Sequence, residues 1–266
     1  MCWRRLHSEF QPLTASNFRE MYKKDIYKII ANEPLTRDVW RMVLEGDTQW
    51  ITHPGQFVNI ELEGLYLRRP ISICDWDDRS ITLIYKVVGR GTEQMSRMAV
   101  GTTLDVLTGL GNGFNEAVEC EKPLLVGGGV GVPPLYHLAK ELIARGRKVS
   151  VVLGFNRADE VFYAEEFRAL GAEVYVSTVD GSVGVKGFVT DAIAEAAIDF
   201  DYFYSCGPLP MLKALCGATK VDGELSFEER MGCGFGACMG CSCKTLTGNK
   251  RICKEGPVMK REEIIW

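Results

Sequence analysis

Leu124-Leu125-Val126-Gly127-Gly128-Gly129-Val130-Gly131-Val132-Pro133-Pro134 opens with an apolar run, breaks into glycines and ends on two prolines. The apolar run reads as a buried strand, and the prolines suit a first helical turn, where no N–H bond is lost. Glycines between a strand and a helix start let a phosphate reach the backbone, and the helix N-terminus favours its charge. The pattern departs from the dinucleotide fingerprint G-x-G-x-x-G. With Gly129 and Gly131 as the first two glycines, Pro134 stands in the third position. The next strand ends in Gly154-Phe155-Asn156-Arg157, without the acid that usually holds a ribose. Taken alone, the turn can also be read as a tight β–α connection that binds nothing.

Downstream of the turn the chain alternates. A helix is expected from about Pro134 to Arg145, then a strand at Val149–Leu153, a helix at Glu165–Leu170, a strand at Val174–Ser177, a helix at Asp191–Ala197 and a strand at Tyr202–Ser205. Such alternation predicts an α/β domain with a parallel sheet. Ser205-Cys206-Gly207-Pro208 follows the last of these strands. Ligands of open parallel sheets sit at the carboxyl ends of strands, so this segment and the glycine turn can face one crevice. A buried cysteine at a strand end is the plain structural reading of Cys206.

Upstream, residues 25–115 read as β. Candidate strands are Ile26–Ile30, Val39–Leu44, Gln56–Glu61, Arg69–Cys74, Ile81–Val87 and Thr103–Leu107, with one short helix at Thr92–Met98. Six short strands at close spacing predict a small antiparallel barrel. In it, Arg68-Arg69-Pro70-Ile71-Ser72 puts two arginines and a serine on one extended segment, suited to an anionic group. Pro70 cannot donate to a ladder, which predicts an edge strand or a bulge. Ile84-Tyr85-Lys86 ends a strand and Gly89-Arg90-Gly91-Thr92 opens a helix. An arginine pair by itself is more often a solvated face.

Ten cysteines are many for 266 residues. A secreted disulfide scaffold would be small and loop-rich, which this chain is not. Cys233, Cys238, Cys241, Cys243 and Cys253 crowd into a short stretch near the C-terminus, which points to metal. The spacing Cys233-x4-Cys238-x2-Cys241 with a distant Cys253 is the plant-type [2Fe–2S] arrangement. The residues between are mostly small, so that backbone N–H groups can approach the sulfurs. A structural zinc would prefer two C-x2–4-C pairs, and the second pair is missing. Cys243 can stand in for Cys241, although the spacing favours Cys241.

The remaining composition excludes whole classes. Apolar residues are 46 % and charged residues 25 %, as in ordinary globular proteins, with a net charge of −4. No broad basic surface for nucleic acid is implied. No apolar run has the roughly 18 residues of a membrane span. Met1 to Phe10 has no apolar core, so it does not read as a secretory signal, and a cytoplasmic location is expected. Met21 offers an alternative start.

The barrel with Arg69-Pro70-Ile71-Ser72, the turn at Gly127–Gly131 and Cys206-Gly207-Pro208 together resemble the ferredoxin–NADP reductase superfamily. Residues 228–238, Glu-Glu-Arg-Met-Gly-Cys-Gly-Phe-Gly-Ala-Cys, narrow this to the electron transfer subunits of class B dihydroorotate dehydrogenase. So do Gly109-Leu110-Gly111-Asn112-Gly113-Phe114, Lys186-Gly187-Phe188-Val189-Thr190-Asp191 and Cys253-Lys254-Glu255-Gly256-Pro257-Val258. The resemblance spans residues 25–266 and implies four parts. These are an N-terminal extension (1–24), an FAD-binding barrel (25–118), an NAD-binding α/β domain (119–225) and a [2Fe–2S] lobe (226–266).

By the same resemblance, Arg69, Pro70, Ile71, Ser72, Ile84, Tyr85, Lys86, Gly91 and Thr92 bind FAD. Gly127, Gly128, Gly129, Gly131, Cys206, Gly207 and Pro208 serve the nicotinamide nucleotide, and Cys233, Cys238, Cys241 and Cys253 hold the cluster. Arg90 departs from the family, which often has an acid between these two glycines. The implied partner is an FMN-containing catalytic subunit that oxidises dihydroorotate, in a two-plus-two heterotetramer. Electrons would pass through the cluster and FAD to NAD⁺, in pyrimidine biosynthesis. No general base is assigned. One rival is the FAD and iron–sulfur subunit of another NAD(P)H-linked oxidoreductase, of the sulfide dehydrogenase or NADH-dependent ferredoxin–NADP reductase type. Another is a nucleotide-binding regulator with a structural zinc.

Overall fold

The computed structural model describes residues 22–266, so most of the expected 1–24 extension, with Cys2 and Met21, lies outside the described residues. Six strands come first: β1 (Lys23–Pro34), β2 (Val39–Glu45), β3 (Phe57–Ile60), β4 (Arg69–Trp76), β5 (Ser80–Lys86) and β6 (Thr103–Leu110). They close into an antiparallel barrel in the order β1-β2-β5-β4-β3-β6. Alternating side chains, among them Tyr27, Ile29, Met42, Val58, Ile73 and Leu83, fill its interior. Helix α1 (Arg90–Ser96) lies between β5 and β6.

The barrel is closed, but at Pro70 β4 pairs on one side only, so the expected edge position is met locally. The β4–β5 ladder runs only from Ile73 opposite Leu83 to Trp76 opposite Ile81, with a bulge between Ile73 and Asp75. Pro70 lies beyond the end of that ladder, where no N–H is required. The same early ending lets Arg69–Ser72 of β4 part from Ile84–Lys86 of β5, which instead follow β2.

The second unit is a seven-stranded sheet. Strands β7 (Pro123–Gly128), β8 (Ser150–Phe155), β9 (Glu173–Thr178), β10 (Val185–Lys186), β11 (Tyr202–Cys206) and β12 (Gly223–Ser226) run parallel in the order β10-β9-β8-β7-β11-β12. A hairpin of β13 (Ser242–Thr245) and β14 (Gly248–Arg251) stands apart. Strand β15 (Val258–Lys260) then returns to pair antiparallel with β12. Segment 226–266 therefore starts from the sheet at β12 and returns to it at β15 before the last six residues. Helices α2 (Tyr136–Ala144), α3 (Ala164–Ala169), α4 (Val189–Glu195) and α5 (Leu209–Ala218) complete the crossovers. The helix expected from Pro134 starts late: Gly129–Gly131 and Pro133–Leu135 wind as short 3-10 turns before α2 begins.

The barrel and the sheet are joined through β4 and α2. Trp76 stacks on His137 at 3.4 Å between ring centroids, His137 Nδ1 lies 2.6 Å from Asp75 Oδ1, and Lys140 Nζ reaches both Asp75 oxygens at 2.8 and 2.9 Å. No helix among the described residues is long and apolar enough to cross a membrane.

Candidate functional site

The parted strands make a wall. Ile71 and Ile73 pack toward the barrel interior, whereas Cys74 and Ile84 pack against the α/β domain. Alternation thus puts Pro70 and Ser72 of β4, with Ile84 and Lys86 of β5, on the face turned to that domain. Arg69 sits at the rim, close against α1: a Cβ at Gly91 would run into its guanidinium. The structure separates the two arginines. Arg68 donates to the carbonyls of Asn59 and Asp105 at 3.2 and 3.1 Å and pairs with Asp105 Oδ1 at 2.7 Å, which leaves Arg69 as the available cation. Tyr85 points into the barrel and donates to Asn32 Oδ1 at 3.1 Å, so only its backbone belongs to the wall. Thr92 Oγ1 accepts from Val88 N at 2.9 Å and Gly89 N at 3.3 Å, so its hydroxyl fastens the loop before α1.

Beyond Lys86 the wall runs into a cleft of about 720 Å³, ample for a nucleotide cofactor. Gly128, Gly129 and Gly131 line one side, and Gly207 and Pro208 another. The two glycine elements meet closely, since a Cβ at Gly131 would collide with the Cys206 carbonyl. Gly127 and Cys206 stand behind the lining. Burial pushes the Cys206 thiol up to about 12, so it is neutral and serves as packing.

Sequence reasoning missed other lining residues. Glu160 accepts from Asn156 Nδ2 at 2.8 Å and supplies an acid some residues past the strand end where none was found. Ser177 lies at the floor of the cleft, with its Oγ fully buried and without a partner within the protein. Glu228 enters from the chain leading to the cysteines, and burial raises its carboxyl. Glu228 was visible in the motif at 228–238, but nothing in its spacing marked it as part of a cleft.

The cysteine lobe lies on another outer face of the barrel, where Phe57, Leu107 and Leu110 pack with Cys241, Ile252 and Cys253. Among the described residues, no three histidine, cysteine or carboxylate side chains converge as around a single ion. Cys233 interacts with Cys238, and Cys253 with both Cys241 and Cys233, so the four thiols share one neighbourhood. Four neighbouring thiols, three of them on a C-x4-C-x2-C loop, fit a two-iron cluster held by four thiolates.

The loop also aims donors at sulfur. Ala237 N and Cys238 N lie 3.2 and 3.4 Å from Cys233 Sγ, and Cys253 N lies 3.4 Å from Cys241 Sγ. Burial opposes ionisation of Cys233, but N–H groups of Cys238, Phe235 and Ala237, with the Cys238 thiol, outweigh it and lower its pKa to about 6. Burial, then the neighbouring Cys241, push Cys253 up to about 12. Cys243 lies on β13, opposite Lys250 in the hairpin.

Two family models match. Residues 228–265 match the iron–sulfur cluster binding domain of dihydroorotate dehydrogenase B, and residues 125–217 an oxidoreductase NAD-binding domain. Curated relatives named dihydroorotate dehydrogenase B (NAD(+)), electron transfer subunit, include one from Geobacillus sp. (strain WCH70). It is 46 % identical over 258 residues, covering 92 % of this chain and 100 % of the relative. Another, from Fusobacterium nucleatum, is 47 % identical over 247 residues, covering 88 % and 95 %. This chain belongs to that family of electron transfer subunits.

A solved NADH-dependent reduced ferredoxin–NADP oxidoreductase superposes with a TM-score of 0.82 at 31 % identity, covering 91 % of this chain and 90 % of the other. A ferredoxin reductase of carbazole 1,9a-dioxygenase superposes with a TM-score of 0.63 at 25 % identity, covering 73 % and 64 %. The barrel and parallel-sheet architecture is thus that of the ferredoxin–NADP reductase group. The higher identity to the named subunits, together with the iron–sulfur domain, disfavours the ferredoxin–NADP reductase rival and removes the zinc regulator.

Proposed function

We propose that this chain is the electron transfer subunit of a dihydroorotate dehydrogenase B, taking electrons released by a dihydroorotate-oxidising partner and delivering them to NAD⁺. One observation carries the reading. The wall of Arg69–Ser72 and Ile84–Lys86 lies on the same barrel as both the cysteine lobe and, through Lys86, the nucleotide cleft.

Pro70, Ser72, Ile84 and Lys86 would form the seat for FAD, and Arg69 beside Gly91 would meet its phosphates. Gly128–Gly131, Gly207 and Pro208 would hold NAD, with Gly127 and Cys206 supporting them from behind. Cys233, Cys238, Cys241 and Cys253 would ligate a [2Fe–2S] cluster. When bound, the flavin exchanges electron pairs with nicotinamide and single electrons with the cluster. The protein orients and shields these groups. No side chain is needed as an acid or base.

The partner is read as an FMN-containing catalytic chain in a two-plus-two complex in the cytoplasm, serving pyrimidine synthesis. Purification from cells that express both chains should yield one complex whose absorption shows flavin bands near about 450 nm with a cluster shoulder. It should reduce NAD⁺ with dihydroorotate. A colourless, zinc-containing protein would sink the reading.

A further inference from the structure

Asn59 lies on β3, on the outer face of the barrel, and is 1 % exposed. It stands opposite Pro70 of the flavin wall in the β3–β4 ladder. From this position its side-chain Nδ2 donates to the carbonyl of Cys233, 174 residues away, at 3.3 Å. Neighbouring strands are about 4.8 Å apart. Asn59 is thus the side chain that spans the step between the wall proposed for flavin and the loop proposed for the cluster.

Two details show that this contact is built. Gly234 follows Cys233 with a φ of +81°, and any Cβ there would strike Asn59 Nδ2. The loop therefore comes as near to Asn59 as a glycine backbone allows. The other half of the amide, Oδ1, is buried with no donor in the protein. A buried acceptor without a partner is costly, and an amide serving only to fill space would be replaced by an apolar residue at no loss. Exchanging the two ends of the amide would set Oδ1 against the Cys233 carbonyl, so the donor end is fixed on the loop.

We infer that Asn59 is a positioning residue: its amide N–H pins the Cys233 carbonyl one strand from the flavin wall and sets both the seat of the cysteine loop and the distance electrons cross. The inference rests on the function proposed above. The carbonyl of a proposed ligand residue is held by the barrel itself, so the loop cannot drift while the barrel keeps its shape. The acceptor end is enclosed without a partner, so the side chain is held by its donor end alone.

The test uses the complex of both chains, with Asn59→Asp and Asn59→Ala. Aspartate keeps the size but not the donor; alanine loses both. FAD content and the thermal midpoint serve as folding checks. Both variants should release the cluster to a chelator about tenfold faster than the parent. Reduction of the cluster by NADH, followed by stopped flow, should slow by a similar factor. Asn59→Asp should lower the midpoint potential of the cluster, through the added negative charge, and Asn59→Ala should alter its paramagnetic resonance signal.

An Asn59→Asp protein with parental release rate, reduction rate and potential would show that Asn59 only fills space. So would an alanine variant with an unchanged signal and release rate. A parent complex without any cluster would instead defeat the proposed function, which separates the two failures.

Discussion

Asp75 shows how much one residue carries between the two units. Burial acts to raise its carboxyl, but hydrogen bonds from His137 and Lys140 outweigh that and hold it below the ordinary carboxylate range. Its folded-state pKa lies below the unfolded-state value, so the fold favours the ionised form. The stabilisation is complete above the unfolded-state value near pH 4 and is lost as pH falls through the lower folded-state value. Asp75→Asn should lower stability by about 1–3 kcal/mol at neutral pH. The deficit should shrink on acidification, as denaturant melts at several pH values would show. Arg69 offers a second test. Arg69→Ala should weaken FAD retention about 10–100-fold by removing the cation at the rim, read as flavin per chain after gel filtration. At this scale the sequence was legible wherever spacing carried chemistry, as in the cysteine run. It was silent where a residue matters only through what the fold sets beside it. Asn59, Ser177 and Glu160 lie in no motif, and Tyr85 lay in one but turned its ring inward.

Elements were legible in proportion to their length and periodicity. The six barrel strands and the sheet strands β7, β8, β9 and β11 followed from alternation and buried runs. Strands β10, β12 and β15 were not foreseen. With two to four residues each, they have no period to display, and they exist because neighbouring strands pair with them. The parting of β4 from β5, which makes the wall proposed for flavin, accompanies a bulge that no local pattern announced. The cysteine loop and the β13–β14 hairpin divide the five clustered thiols. Cys233→Ser should lose the cluster, and with it electron flow from the partner, whereas Cys243→Ser, in the hairpin, should retain it. Iron and acid-labile sulfide counts with the visible spectrum distinguish the two. Loss of the cluster in Cys243→Ser would move the ligand assigned to Cys241 onto Cys243.

At the scale of the molecule, the arrangement of charge in the cleft bears on which nicotinamide cofactor is used. Arg157 does not line the cleft, and its guanidinium is near Asp159 and Glu160 at 3.4 and 3.7 Å. Glu160, which does line it, suits a ribose diol and would repel a 2′-phosphate. NADH should therefore exceed NADPH in kcat/KM by at least about tenfold, and Glu160→Gln should narrow that gap, measured with an artificial electron acceptor. The path of the chain through the lobe has a further consequence. The lobe leaves the sheet at β12 and re-enters it at β15, the strand next to β12. It is therefore not a tail appended to a finished reductase but an enlarged hairpin loop with both feet on one sheet edge. A short turn from Ser226 to Val258 would close the same edge without it. In such a fold the cysteine-bearing module is tethered at a single insertion point, and what it asks of the barrel is the patch it covers, with Phe57, Leu107 and Leu110 packed beneath it and Asn59 and Asn112 bonded to its backbone.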